Sequence, residues 1–134
     1  MRLPWEGGGS MFEVSISGWF AAAHQLRLLD GSLETLHGHN WRVVVTYRGP
    51  RLDAMGVLVD FTVVRPRLER LLAGFHDKNL NDHPAFADLN PSAENVALVI
   101  AREMATGLAA DVRLALVEIE EAPGCVARYS PTNS

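Results

Sequence analysis

Two histidines stand one residue apart in ETLHGHN, at His37 and His39, directly before a strongly strand-forming run, and Glu34 precedes them by three positions. On an extended strand, residues two apart project from the same face, so a single ion can bridge both imidazoles. His24 closes an earlier alternating run and, if that run has no bulge, faces inward as their cross-strand neighbour. Three neutral imidazoles with one open position form the donor set of a catalytic zinc, which polarises a substrate oxygen or activates water. The competing reading is three core or interface histidines satisfied by hydrogen bonds, and the spacing alone leaves both open.

Other side chains could bind substrate or move protons. Glu121 shares a strand face with Val117 and Ile119. Buried there, its carboxylate must be paired, and it could accept two parallel N–H bonds from the amidine-like edge of a pterin or guanine ring. If the strand end lies in water, Glu121 is only hydrated, like Glu118 and Glu120. Glu34 is a general base if desolvation or a metal tunes it, and otherwise a solvated loop residue. The adjacent His76 and Asp77 are a proton relay, or else a solvated pair or loop cap. His83, beside Pro84 in a polar loop, is assigned no role.

A chain of 134 residues must position these groups, which is the size of one domain. Hydrophobic residues at 48% and charged residues at 21% are ordinary for a globular protein, and no apolar run approaches a membrane span. The net charge of -4 and the lack of a basic stripe argue against a nucleic-acid partner. One cysteine, Cys125, can build neither an internal disulfide nor a thiolate cluster, so a cytoplasmic location is expected. Residues 1–10, MRLPWEGGGS, read as a flexible leader, and 11–134 as a single domain.

Alternation over FEVSIS, continuing toward His24, predicts a first strand, and HGHNWRVVVTYRG a second. VLVDF reads as a short strand or entry segment. Leu68, Leu71, Leu72 and Phe75 carry the spacing of a first helix, in which Pro66 is tolerable only in the opening turn. A second helix starts at Asn90 or Ser92 as N-cap and ends near Gly107. VRLALVEIEE and CVARYSP close the chain as two strands around Pro123 and Gly124. The expected order is ββααββ: an α+β fold with a four-stranded antiparallel sheet backed by two helices. The open edges of so small a sheet invite pairing between subunits.

The segments FAAAHQL, ETLHGHNWRV, VLVDF, NLND, NPSAENVA and EAPGCVARY, from about Met11 to Pro131, resemble the 6-pyruvoyl-tetrahydropterin synthase and 6-carboxy-tetrahydropterin synthase family in order and spacing. The resemblance implies Zn2+ on His24, His37 and His39, and a pterin anchored by Glu121. It also implies the tunnelling fold (T-fold), an oligomeric barrel formed by a homotrimer or homohexamer with intersubunit active sites. The implied substrate is 7,8-dihydroneopterin triphosphate, for whose phosphates Arg27, Lys78 and Arg128 are candidate cations.

Two departures from the family pattern bear on the reaction. The family's usual cysteine ahead of H-G-H is missing from Leu33-Glu34-Thr35-Leu36, and Cys125 does not align with it. Glu34 resembles the branch with glutamate in that place, which implies side-chain cleavage to 6-hydroxymethyl-7,8-dihydropterin for folate synthesis. Where the family usually has Asp-His, this chain has His76-Asp77, the reverse order. Formation of 6-carboxy-5,6,7,8-tetrahydropterin for queuosine, formation of a pyruvoyl-pterin, and a non-catalytic pterin- or metal-binding paralogue are the alternatives.

Overall fold

The computed structural model describes residues 1–132, so the last two positions of the expected 11–134 domain lie outside the described residues. Strands β1 (Phe12–His24) and β2 (His37–Gly49) form one antiparallel ladder running from Phe12 opposite Gly49 to His24 opposite His37. No bulge interrupts it, so the predicted alternation holds to the end. Ile16, Phe20, Ala22 and His24 share one face with Trp41, Val43, Val45 and Tyr47, and all of these are buried. Trp5 of the N-terminal segment lies edge-to-face against Phe12, with ring centroids 5.7 Å apart.

Val57–Asp60 forms no strand; it is the entry to helix α1 (Phe61–Ala73), whose N-cap is Asp60. Pro66 sits beyond the opening turn, contrary to expectation. It removes the N–H that would bond the Thr62 carbonyl, but Thr62 is exposed and water can take that bond. Val64, Leu68 and Leu72 bury the helix against β1, and Phe75 continues the apolar row just past its end. Gly18 permits the close approach, because a Cβ there would come within 2.7 Å of Leu72 Cδ1.

The sheet has five strands, not the expected four. Lys78–Asn79 forms a two-residue strand β3, parallel to β1 at Ala22 and Ala23. Two polar residues carry no periodicity, and the backbone reaches this pairing through Asp77, a non-glycine residue at φ 58°. Two 3-10 turns, Leu80–Asp82 and Pro84–Phe86, lead to helix α2 (Ala93–Met104). Strands β4 (Arg113–Ala122) and β5 (Cys125–Tyr129) are joined at Pro123 and Gly124, where φ of +81° suits glycine. The spatial order is β3-β1-β2-β4-β5.

Helix α2 lies over β4 and β5 and α1 over β1, and between them Phe20, Trp41, Tyr47, Leu68, Phe75, Ile100, Met104 and Ile119 fill the core. Ser92 caps α2 by accepting the Asn95 N–H at 3.1 Å. Ser92→Ala should destabilise the protein by about 1 kcal/mol, read as a lower urea midpoint at unchanged slope. Among the described residues no helix is long and apolar enough to cross a membrane.

Candidate metal centre

The unbulged β1–β2 ladder ends with His24 beside His37 and Ala22 beside His39, which gathers three imidazoles at one end of the sheet. Their ligand-capable nitrogens lie within 4.8 Å of one another. His24 is buried, His39 partly buried and His37 exposed, so the cluster opens to solvent on one side.

Hydrogen bonds fix which nitrogen of each ring is free. His24 Nδ1 is 2.7 Å from the Pro91 carbonyl, and His37 Nδ1 is 2.7 Å from the Thr35 carbonyl. A carbonyl only accepts, so in neutral rings each Nδ1 carries the hydrogen and each Nε2 keeps a bare lone pair. Those two Nε2 atoms face each other at 3.1 Å. Two lone pairs at that distance repel unless a proton or a cation lies near them. His39 Nε2 is buried with no hydrogen-bond partner. Backbone carbonyls holding the remote nitrogens while the near ones converge is the outer shell of a metal-binding histidine set. The donors present therefore fit a cation that prefers imidazole.

The surroundings act on the His39 ring in particular. Burial, with smaller contributions from His24 and His37, holds the His39 imidazole below its ordinary value of 6.5, against the opposing pull of Glu121 and Glu34. Trp41 forms the floor, its ring 4.8 Å from His24 and 5.6 Å from His39. The Trp41 indole N–H donates to the buried Ala22 carbonyl at 3.1 Å, and Phe20 stacks on its inner side. Trp41→Phe should strand that carbonyl and destabilise the fold by about 1–3 kcal/mol, measurable by urea unfolding of the metal-free protein.

Glu121 comes to the cluster. Its Oε1 lies 3.3 Å from His24 Nε2, and its side chain is 28% exposed, neither deeply buried nor simply hydrated. The β4–β5 register shifts between Glu120 and Ala122, so Glu121 is the extra residue at an irregularity. Glu34 is anchored as well. Its Oε1 accepts the Leu26 N–H at 3.0 Å, and its own N–H donates to the Leu26 carbonyl at 3.0 Å.

The inverted pair is placed differently. His76 Nδ1 accepts the Ala21 N–H at 3.1 Å, its ring lies edge-on to Trp19, and Nε2 is 3.4 Å from Asp77 Oδ2. His76 is not part of the converging histidine cluster. Asp77 and Lys78 line the same cleft of about 470 Å³ as His39 and Asn40. Of the other cations, Arg128 pairs with Glu118 at 2.9 Å, and Arg27 has its backbone held by the Asn90 side chain. His83 Nδ1 accepts the Ala85 N–H, a cap on the second 3-10 turn. The residues that sequence reasoning missed are Thr35 and Pro91, which act through backbone carbonyls, and Asn81 and Asn90, whose side chains hold the segment after His24. NLND and NPSAENVA were visible as motifs, but nothing local shows what an asparagine side chain will meet.

This α+β domain gathers three imidazoles at the end of a two-strand ladder, a donor set that could hold one metal ion. The chain belongs to the 6-pyruvoyl tetrahydropterin synthase family, whose sequence profile matches residues 13–132. It is 32% identical over 127 residues to 6-carboxy-5,6,7,8-tetrahydropterin synthase of Bacillus subtilis, covering 91% of this chain and 82% of that one. Human 6-pyruvoyl tetrahydrobiopterin synthase is 33% identical over 111 residues, 71% of this chain and 77% of that one. Dihydroneopterin monophosphate aldolase of Pyrococcus furiosus is 29% identical over 102 residues, 76% and 82%. In three dimensions the Caenorhabditis elegans 6-pyruvoyl tetrahydropterin synthase superposes with a TM-score of 0.77 at 21% identity, covering 91% and 96% of the two chains. A Plasmodium vivax homologue, described as a glutamate-to-alanine catalytic residue mutant, superposes at 0.73 with 17% identity, covering 93% of this chain and 100% of that one. The T-fold expectation is met.

Proposed function

We propose that the protein is a zinc-dependent lyase that cleaves the side chain of 7,8-dihydroneopterin triphosphate to 6-hydroxymethyl-7,8-dihydropterin. The observation that carries the reading is the convergence of three imidazole nitrogens, two of them tautomer-locked. Glu34, held by the Leu26 N–H, stands in the segment where the family's usual cysteine is missing. His24, His37 and His39 would hold zinc. Bound there, zinc supplies Lewis acidity toward the side-chain hydroxyls.

The remaining work falls to the chain's own carboxylates. Glu121 accepts the parallel N–H bonds of the pterin edge, which sets the side chain against the histidines. Glu34 takes the proton of the 2′ hydroxyl as the bond between side-chain carbons 1′ and 2′ breaks, and returns a proton to carbon 1′. The products are 6-hydroxymethyl-7,8-dihydropterin and a triphosphorylated two-carbon aldehyde, so atoms balance with no external oxidant or reductant. Because Leu26 already occupies Glu34 Oε1, the chemistry belongs to Oε2. The Plasmodium vivax homologue with a catalytic glutamate supports this use of Glu34, and the Pyrococcus furiosus aldolase supports side-chain cleavage. Lys78, in the cleft with His39, is the best-placed cation for phosphate; Asp77 lines the same cleft and, with His76 at 3.4 Å, is the relay candidate.

A second reading, formation of 6-carboxy-5,6,7,8-tetrahydropterin, is favoured by the Bacillus subtilis relative. A binding-only role is favoured by His76, whose Nδ1 is already engaged by Ala21. Oligomerisation into a trimer or hexamer in the cytoplasm completes the proposal. It rests on the open edges of the sheet: β5 on one side, and on the other β1, which β3 flanks only at Ala22 and Ala23.

The test is to incubate zinc-loaded protein with 7,8-dihydroneopterin triphosphate and identify the pterin by mass spectrometry. The 6-hydroxymethyl product is expected. A 6-carboxy or 6-pyruvoyl product would replace the branch, and bound substrate with no new pterin would leave only binding.

A further inference from the structure

Beyond His24 the chain leaves the long ladder, keeping an isolated antiparallel bridge between Arg27 and Leu33, and side chains supply other hydrogen bonds that a strand would have made. Asn81 grips Gln25 at two points: its Oδ1 accepts the Gln25 N–H at 2.9 Å, and its Nδ2 donates to the Gln25 carbonyl at 2.8 Å. Asn90 grips Arg27 in the same way, at 2.8 and 3.0 Å. Leu26, between them, presents its N–H and carbonyl to Glu34, at 3.0 Å each. Alternate residues of an extended chain show their polar groups to opposite edges. Residues 25–27 are therefore clamped on one edge by two asparagine amides and on the other by the glutamate.

The clamp is tied into the metal centre. Asn95 Nδ2 donates to the Asn90 carbonyl at 2.9 Å, and the next carbonyl, that of Pro91, holds His24 Nδ1. One short segment thus links the backbone of His24, the tautomer of its ring and the direction of the Glu34 carboxylate. We infer that Asn81 and Asn90 are positioning residues that lock Gln25–Arg27, so that His24 and Glu34 keep a fixed geometry relative to each other. An amide can do this where a carboxylate or a hydroxyl cannot, because the clamp needs one donor and one acceptor on a single planar group. The part of the inference that concerns Glu34 rests on its proposed acid/base role; the part that concerns His24 does not.

The test uses Asn81→Ala and Asn90→Ala in the full chain, with Asp60→Ala, at the cap of α1 far along the sequence, as a control for lost stability. Three quantities are read: the visible spectrum and affinity of the cobalt(II)-loaded protein, amide exchange at Leu26, and kcat against KM with 7,8-dihydroneopterin triphosphate. Each asparagine variant should shift the cobalt spectrum or weaken affinity by about 10–100-fold, the range for outer-shell changes. Leu26 exchange should speed up, and kcat should fall about 10-fold or more with KM little changed. Asp60→Ala should move none of these. In a Glu34→Gln background, Asn81→Ala should lower kcat little further.

An unchanged cobalt spectrum, unchanged Leu26 exchange and unchanged kcat would reduce the asparagines to loop ties and overturn the inference. If Glu34→Gln itself retains full activity, the acid/base reading fails, and the cobalt spectrum still decides the clamp on His24. If Asn81→Ala does not fold, Asn90→Ala, at the more exposed pair of bonds, decides the same question.

Discussion

Glu34→Gln is expected to lower kcat by roughly 10²–10⁴-fold, the range for a positioned general acid or base, while leaving the unfolding midpoint close to that of the wild type. The amide oxygen of glutamine can still accept the Leu26 N–H that now bonds Glu34 Oε1, so the loop keeps its anchor and only the proton acceptor is lost. Glu34→Ala removes both, and should add a stability loss of about 1 kcal/mol to the catalytic defect. Steady-state kinetics with product detection, set beside urea unfolding, separates the two effects. Full turnover by Glu34→Gln would remove Glu34 from the chemistry and leave it a structural tie.

His37→Ala is expected to weaken metal binding by roughly 10²–10³-fold, from sharing the free energy of a four-ligand zinc site among its ligands. The fold should survive, since the His37 ring is exposed and its polar contacts are the neighbouring Thr35 carbonyl and the His24 Nε2 atom within the cluster. Competition with a chromogenic chelator reads the affinity directly. Unaltered zinc affinity in this variant would remove the triad from metal binding and return the histidines to a hydrogen-bonded cluster.

The metal-free protein should also show an acid-side signature. With His39 held below 6.5 by burial, the folded state binds fewer protons than the unfolded chain once the pH drops under that value. Stability is then fully present above 6.5 and declines as pH falls through it toward the lower folded value. Urea titrations on both sides of that pH should show the decline, and saturating zinc should oppose it by mass action.

The covalent order of the residues settled more of the site than of its operation. Alternation along FEVSIS and HGHNWRVVVTYRG is a local, period-two property, so the common face of His24, His37, His39 and Trp41 followed from it once no bulge intervened. Helix α2 was legible from its own local signals, with its cap narrowed to Asn90 or Ser92 and the structure selecting Ser92, and so was the hairpin at Pro123 and Gly124. The strand β3 was not, because two polar residues have no period, and only closure of the chain onto β1 gives Lys78 and Asn79 partners.

Nor could spacing foretell that Pro91 and Thr35 would offer carbonyls to the two Nδ1 atoms, since every residue carries a carbonyl and only packing decides which one arrives. The approach of Glu121 to His24, the engagement of His76 by Ala21, and the asparagine grip on Gln25–Arg27 were settled the same way. Sequence determined which groups could take part and which face they share. Tertiary structure alone decided their tautomers, partners and distances, because hydrogen bonds between residues far apart in the chain exist only after the core has closed.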